Sequence, residues 1–187
     1  MALGARLPAR RALYTIGHSN RPIEAFLETL REAGVERVVD VRALPQSRRW
    51  PQYGRAALER SLAANGIDYE WSGEALGGFR KPRPGSPNVA LAGAFRGFAD
   101  HMATPAFATA IEALLAAAGR SPTAILCAEK LPRDCHRSLI ADYALARGTE
   151  VVHLLAPGSR EAARLNPAAR VVGAGLVYDA GAQAEML

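Results

Sequence analysis

The first 42 residues carry the pattern that most restricts the fold. Two short apolar runs, Ala12 to Gly17 and Val35 to Arg42, have the length and β-branched content of buried strands. Between them, apolar residues recur at the spacing of one helical face: Ile23, Phe26, Leu27 and Leu30. Pro22 suits the first turn of this helix, and Gly34 suits its end. A strand, a helix and a second strand in this order require a parallel strand pair with a right-handed crossover.

The rest of the chain continues the alternation of helices and strands. Helical patterns cover 54–66, 94–102, 105–119 and 135–148, and strand patterns cover 67–71, 123–128 and 150–155. A loop rich in glycine and proline, Ser72 to Gly93, interrupts them, and a loop of this length is usually functional or disordered. After Ala156 the pattern weakens to a helix near Glu161 and a strand at Val171 to Tyr178. We therefore predict a single three-layer α/β domain at 12–187, with a mainly parallel sheet, after a flexible basic tail at 1–11.

Composition narrows the setting in which such a domain works. No apolar run approaches the roughly 20 residues that a membrane-spanning helix needs, so no membrane partner is expected. The N-terminal "MALGARLPARR" has no apolar stretch behind it, which argues against a secretory signal. Two cysteines without such a signal predict a reducing, cytoplasmic location and free thiols rather than a disulfide. The net charge of +5 fits an anionic small molecule or nucleic acid as partner, if the arginines are placed to meet it.

Polar residues follow three of the predicted strands. "GHSN" comes at the end of the first strand, "DVR" at the end of the second and "CAE" at the end of the strand that begins at Thr123. Parallel α/β sheets bind their ligands outside the carboxyl ends of the strands. We therefore predict a ligand site at this rim of the sheet.

The segment after the third of these strands concentrates reactive side chains: Cys127, Glu129, Cys135, His136 and Arg137. Cys135 is predicted near a helix N-terminus, where unpaired N–H groups and the helix dipole stabilise a thiolate, and His136 and Arg137 add positive charge. This favours a nucleophilic Cys135, with His136 and Glu129 in acid–base roles and His18 as a further catalytic candidate. Against it, the side chains of adjacent helical residues point about 100° apart, so Cys135 and His136 would face different places.

The same segment also offers ligands for a metal ion. Thiolates, imidazole and carboxylate bind zinc or iron, and four such groups occur here: Cys127, Glu129, Cys135 and His136. His18, after the first strand, would be a substitute for one of them. The spacing is not that of a C-x-x-C pair, however, and Cys127 at the end of an apolar strand is also explained as a small core residue.

Arginines at the rim are candidates for holding an anion. Asp40 lies near the end of a buried strand and needs a partner, and Arg42 lies two residues further on the same face. An Arg42 oriented by Asp40, together with Arg137, would grip a carboxylate or phosphate. In the alternative interpretation, the pair only orders the rim.

Two basic loops extend this argument. The first interleaves Arg48 and Arg49 with Trp50 and Tyr53, a combination that suits phosphates and stacked bases unless the rings only pack on the domain edge. The second, "FRKPRPGSPN", adds three cationic side chains: Arg80, Lys81 and Arg83. It is predicted to be a flexible lid over an anionic ligand or, alternatively, a solvated loop.

Five blocks along the chain together carry a family resemblance: "YTIGHSNRPIEAFL", "VVDVRALPQS", "GIDYEW" with a later "LGG", "ILCAE" and "CHRSLIA". In order and spacing they resemble the domain-of-unknown-function 488 family of bacterial and archaeal proteins, over roughly Leu13 to Leu155. The resemblance implies that the two cysteines of the C-x-E and C-H-R blocks matter. It implies no substrate and no reaction.

Three hypotheses of function follow from these residues. The first is an enzyme that acts on an anionic, nucleotide-like or nucleic-acid-like substrate with Cys, His and Glu chemistry at the sheet rim. The second is a nucleic-acid-binding module without catalysis, in which the basic loops carry the function. The third is a metal-binding protein that uses the cluster of two cysteines, a glutamate and a histidine.

Overall fold

A central sheet organises the computed structural model, which describes residues 12–179. Its strands are β1 (Leu13–Gly17), β2 (Arg37–Asp40), β3 (Asp68–Trp71), β4 (Thr123–Cys127), β5 (Val151–Ala156) and β6 (Ser159–Ala162). They pair in the order β3-β2-β4-β1-β5-β6, and only β6, antiparallel to β5, departs from the parallel arrangement. A separate antiparallel hairpin consists of β7 (Ala169–Val172) and β8 (Gly175–Tyr178). The predicted tail at 1–11 lies outside the described residues.

Helices connect the parallel strands. They are α1 (Ile23–Glu32), α2 (Arg55–Ala63), α3 (Gly73–Leu76), α4 (Gly93–His101), α5 (Pro105–Arg120) and α6 (Arg137–Ala146), with single 3-10 turns at Pro51–Tyr53 and Pro132–Asp134. In the described part of the chain, no one helix is both long and apolar enough to span a membrane. Only α4 and α5 taken together, with a bend of 83° between them, reach that length and composition.

Two apolar cores lie on opposite faces of the sheet because successive strand residues point to opposite sides. Val38 and Leu126 belong to the core that α1 and α2 cover, whereas Val39 and Ile125 belong to the core that α4, α5 and α6 cover. Within α1, Phe26 and the other core-facing residues fall on one face, as their spacing predicts. The predicted three-layer α/β fold with a mainly parallel sheet is therefore confirmed.

The C-terminal part differs from the prediction. Glu161 lies in strand β6, not in a helix, and the predicted strand from Val171 to Tyr178 is the second half of the β7–β8 hairpin with its turn. The sequence "SREA" has ordinary helix formers, but pairing with β5 overrides this weak local preference. The helix predicted to start at Cys135 begins at Arg137.

The long glycine- and proline-rich loop is held in place rather than flexible. It contains α3, and its later part is fastened by the buried Asp100, whose carboxylate accepts hydrogen bonds from the Arg83 backbone, the Ser86 hydroxyl and the Asn88 amide. The side-chain oxygen of Asn88, Oδ1, in turn accepts from the backbone N–H of Tyr178 at 2.9 Å. The C-terminal hairpin and this loop therefore support each other.

Candidate active site

The carboxyl ends of three neighbouring strands open into one cavity. β2, β4 and β1 lie side by side in the sheet, and the residues at or after their ends, Arg42, Cys127 and His18, all line a cavity of about 730 Å³. Their common position follows from the parallel arrangement, which places all three ends at the same edge. Glu129, Cys135 and His136 line the same cavity. The polar residues that follow the strands in the sequence are thus brought together.

Cys135 and His136 converge because Cys135 is not helical. Its backbone is extended, with φ −140° and ψ 140°, and α6 starts only after His136. The expectation that these two neighbours diverge by a helical angle is therefore wrong. His136 Nδ1 lies 3.8 Å from Cys135 Sγ and 3.7 Å from Cys127 Sγ, and these three atoms lie within 4.8 Å of one another.

The imidazole of His136 is fixed by its other nitrogen. Nε2 lies 3.2 Å from the Val41 carbonyl oxygen and 3.0 Å from the Leu76 carbonyl oxygen. Carbonyl oxygens only accept hydrogen bonds, so Nε2 carries the proton and the neutral ring has its lone pair on Nδ1. Phe98 packs edge-on against the ring at 4.9 Å, and a Cβ at Gly78 would lie 2.5 Å from Nδ1. The lone pair of His136 is therefore held towards the two sulfur atoms.

The pKa values of the two thiols are shifted in opposite directions. Both are nearly inaccessible, Cys127 at 4% and Cys135 at 2% exposure, and both are free. Burial alone would raise the pKa of Cys135, but hydrogen bonds with Cys127 and His136 and the nearby Arg137 charge lower it. Its hydrogen bond with Cys135 and its burial raise the pKa of Cys127 well above the ordinary value. A backbone N–H, that of Arg137, also points at Cys135 Sγ at 3.5 Å.

Glu129 lies beside this group of three atoms. Its Oε2 accepts a hydrogen bond from Cys127 Sγ at 3.1 Å, but its carboxylate is not among the three atoms that all lie close together. Burial acts to raise its pKa, and hydrogen bonds from Cys135 and Cys127 overcome this and lower it, so the carboxylate is ionised. The structure thus brings three of the four predicted metal ligands together and places Glu129 at their edge.

Arg137 holds the loop between β4 and α6 and does not reach the cavity. Its guanidinium is buried and donates to the carbonyl oxygens of Glu129 at 2.6 Å and Lys130 at 2.8 Å. Strand β1 packs closely against the Glu129 carbonyl, since a Cβ at Gly17 would lie 1.7 Å from that oxygen. These bonds do not favour the anion-binding role of Arg137, which stays a prediction.

Residues 22–144 match the family described as domain of unknown function DUF488. The chain belongs to this family. The matched range contains the whole Cys127–His136 cluster and the residues of β2. The family resemblance predicted from the sequence is thus confirmed. No curated protein and no solved structure matches the chain. The description of the DUF488 family names no reaction.

His18 has no free nitrogen in this DUF488 protein. Nδ1 donates to the Ser19 carbonyl oxygen at 2.9 Å, and Nε2 accepts from Arg42 Nη1 at 3.2 Å. The ring stacks on Tyr53 with centroids 4.3 Å apart, and burial lowers its pKa to about 4. With Nδ1 donating and Nε2 accepting, the neutral ring keeps no free lone pair for a base or a metal ligand. This geometry does not favour the catalytic role of His18, which stays a prediction.

Arg42 and Asp40 form the expected buried ion pair. Asp40 accepts from Nε and from Nη2, the latter at 2.6 Å, while Nη1 donates to the Tyr53 carbonyl oxygen at 2.8 Å and to His18. A guanidinium has five N–H groups, so these bonds leave one N–H on Nη2. Arg42 lines the cavity, which makes this N–H a candidate donor for a ligand, while the observed bonds of its side chain order the rim.

The first basic loop divides into an inner and an outer part. Tyr53 is fully buried and its hydroxyl donates to the Arg21 carbonyl oxygen at 2.9 Å, a position that does not favour stacking on a base, so its substrate-binding role stays a prediction. Trp50 is half-buried and lines the cavity, and the Arg49 guanidinium lies 5.5 Å from its ring centroid. Arg48 is exposed and lies outside the cavity lining.

Two aromatic residues that sequence reasoning missed also line the cavity. Phe79 is 77% exposed, and Phe95 is half-buried at the start of α4. A phenylalanine in a glycine- and proline-rich loop has no core to enter, which is the signal that would have found Phe79. Behind it, the Arg80 guanidinium donates to the backbone carbonyls of Glu74 and Gly77, so it is not free for a ligand.

Proposed function

We propose that this DUF488 protein is a metal-dependent enzyme that acts on an anionic, nucleotide-sized substrate. Cys127, Cys135 and His136 hold the metal at the base of the cavity. The observation that carries the proposal is the direction of His136, whose unprotonated nitrogen faces both sulfur atoms because its other nitrogen is bonded to two carbonyl oxygens. A histidine ligand oriented by a backbone carbonyl is the usual arrangement in protein metal sites.

The distances support zinc as the metal. Zinc binds thiolate sulfur at about 2.3 Å and imidazole nitrogen at about 2.0 Å, and tetrahedral ligands then lie about 3.6 Å apart. The two sulfur–nitrogen distances are 3.7 and 3.8 Å. Two thiolates and one imidazole leave the fourth position open, as in catalytic zinc sites, and all three residues border the cavity.

The surroundings of this site supply the other parts of an enzyme. Zinc with an open position supplies a water of lowered pKa or polarises an oxygen of the substrate. Glu129 lies next to Cys127 as an ionised carboxylate and would carry the proton. The remaining N–H of Arg42 and the exposed guanidinium of Arg49 would hold an anionic group.

A second candidate is a metal-free enzyme with Cys135 as nucleophile. The backbone N–H of Arg137 near Cys135 Sγ favours it because it stabilises a thiolate. His136 favours it because Nδ1 can take the thiol proton, and the imidazolium then formed stabilises the thiolate as well. The near-complete burial of Cys135 speaks against direct attack on a large substrate.

Non-catalytic nucleic-acid binding remains a separate prediction. The exposed Arg48 and Arg49 next to the half-buried Trp50 favour it. In that case binding of a single-stranded oligonucleotide weakens steeply with salt and with Arg48→Ala, but not with Cys135→Ser.

The test is the metal content of protein purified without chelators. We expect one zinc per chain in the wild type and its loss in Cys135→Ser and His136→Ala, with Asp134→Asn, a neighbouring carboxylate variant, retaining it. Iron in place of zinc would change the metal but not the site. A wild type without metal would overturn the proposal and leave Cys135 as a thiolate candidate. The cytoplasmic location that we infer would keep both thiols reduced and able to bind.

A further inference from the structure

We propose that the reaction is hydrolytic deamination, the replacement of an exocyclic amino group on the planar ring of a nucleotide by oxygen. This inference rests on the metal-dependent enzyme proposed above and names its substrate class and chemistry. It is carried by three features of the cavity: the set of donor atoms, the place of Glu129, and the aromatic rings towards the opening.

The donor set is the one that zinc-dependent nucleobase deaminases use. Those enzymes hold zinc with one histidine and two cysteines, or with three cysteines, and a glutamate that is not a ligand moves the protons. Here two cysteines and one histidine converge, and Glu129 follows the ligand Cys127 by two positions. Its carboxylate contacts Cys127 Sγ at 3.1 Å while remaining outside the group of three mutually close atoms. The likeness rests on the donor atoms and their chemistry.

The rest of the cavity suits a heterocyclic ring. Its volume of about 730 Å³ is within the usual range of small-molecule sites, about 300–1,000 Å³, so it fits a single nucleotide. Trp50, Phe79 and Phe95 offer flat faces for stacking, which every nucleobase accepts. The side-chain amides of Asn20 and Gln46, also in the lining, can donate to and accept from the edge of a ring.

Charge is divided in the way that a nucleotide requires. The guanidinium of Arg49 lies over Trp50, where it would meet the phosphate of a nucleotide whose base stacks in the cavity. The carboxylate of Glu129 lies at the ligand end, where it would meet water and the amine. A base thus points towards the metal ligands, and its phosphate points outwards.

The step balances without an oxidant or reductant. The oxygen of one water forms a bond to the ring carbon that carries the amino group, and the bond between that carbon and the amine nitrogen breaks. Glu129 accepts one proton from the water and passes it to the ring nitrogen next to that carbon. It then moves the second proton of the same water to the amine nitrogen, which leaves as ammonia. The ring carbon becomes a carbonyl, and Glu129 ends in its starting ionised state.

Ammonia release by the zinc-loaded full chain tests this inference. Cytidine and adenosine monophosphates are the substrates, and uridine monophosphate, which has the same charge and no amine, is the control. We expect ammonia from at least one of the two amines in amounts equal to the nucleotide consumed. Glu129→Gln should retain one zinc per chain and lower kcat at least 100-fold, since it cannot carry the proton. Glu74→Gln, a carboxylate outside the cavity lining, should retain both zinc and activity.

The outcomes separate this inference from the proposed function. Zinc-loaded protein that releases no ammonia from either amine overturns deamination, whether or not the nucleotides bind, and leaves a metal-dependent enzyme of another reaction. Protein that holds no zinc overturns the proposed function. Equal activity of Glu129→Gln and wild type would also overturn the mechanism, because the proton carrier would then lie elsewhere.

Discussion

Replacing Gly78 by alanine should weaken zinc binding although Gly78 is not a ligand. A Cβ at this position would lie 2.5 Å from His136 Nδ1 and 2.6 Å from Cγ, whereas ordinary contact begins near 3.4 Å. The ring or the loop must therefore move by about 0.9 Å, the difference between 3.4 and 2.5 Å. The ring has little freedom, because Nε2 is bonded to the carbonyls of Val41 and Leu76 and Phe98 packs on its face.

The size of the effect follows from the geometry of metal coordination. Ligand distances in a working site vary by only about 0.2 Å, so a displacement several times larger removes most of the contribution of this ligand. Changes that disturb the orientation of a metal-binding histidine typically cost about 10- to 100-fold in affinity. We therefore expect the dissociation constant for zinc to rise by about 10- to 100-fold in Gly78→Ala.

The assay is competition for zinc against a chromophoric chelator, with Gly119→Ala as matched control. Gly119 has no heavy atom within 4 Å of the added Cβ and lies in α5, so its replacement should leave the zinc affinity unchanged and stabilise the helix slightly. Thermal unfolding of both variants separates a local effect from general destabilisation. Gly78→Ala with wild-type zinc affinity would refute the reasoning that this contact holds the ring.

Three further variants test other parts of the structure. Asp142→Asn should stabilise the protein at neutral pH. Burial raises the Asp142 pKa to about 6 from 3.8, so the protonated carboxyl makes its full contribution to wild-type stability below pH 3.8, and this contribution is lost as pH rises through 6. At about 1.4 kcal/mol per pH unit the gain reaches about 3 kcal/mol at pH 8 and vanishes near pH 3.8, as urea titrations at the two pH values will show. Tyr53→Phe should cost about 1 kcal/mol, because the Arg21 carbonyl loses its donor, and should leave nucleotide affinity in fluorescence titrations unchanged. Arg137→Met should lower the free energy of unfolding by about 1 kcal/mol for each of the two hydrogen bonds to backbone carbonyls that are lost, and wild-type stability in the same titrations would count against the loop-holding role.

The fold could be predicted from the sequence because its core is regular. The segment from Leu13 to Asp40 has the apolar periods of the strand, helix and strand that form, and the parallel direction of β1 and β2 follows from their connection. The two strands are not the predicted pair, however, because β4 lies between them and pairs with both. The edge strand β6 could not be predicted in this way. Its side chains are exposed and carry no periodic pattern, so only the presence of β5 beside it decides its conformation.

The position of the site could be predicted from the sequence, but the geometry of its side chains could not. Three strand ends with polar residues indicate the rim, yet the convergence of Cys135 and His136 depends on backbone angles outside the helix, which residue spacing does not reveal. Likewise, nothing in the sequence distinguishes a guanidinium that faces a ligand from one that, like Arg137, turns back to backbone carbonyls seven and eight residues earlier. The direction of such a side chain depends on the folded loop and not on residue spacing.

The position of β1 limits how this protein can be trimmed. Residues 22–144, the range that matches the family, omit Leu13–Gly17, although this strand lies between β4 and β5 in the middle of the sheet. A recombinant fragment cut to that range would leave one edge of β4 unpaired and apolar, and such an edge is prone to aggregate. The fragment would also lack Gly17, against which the Glu129 carbonyl packs. Expression and screening should therefore use a chain that starts before Leu13 and extends past the final hairpin.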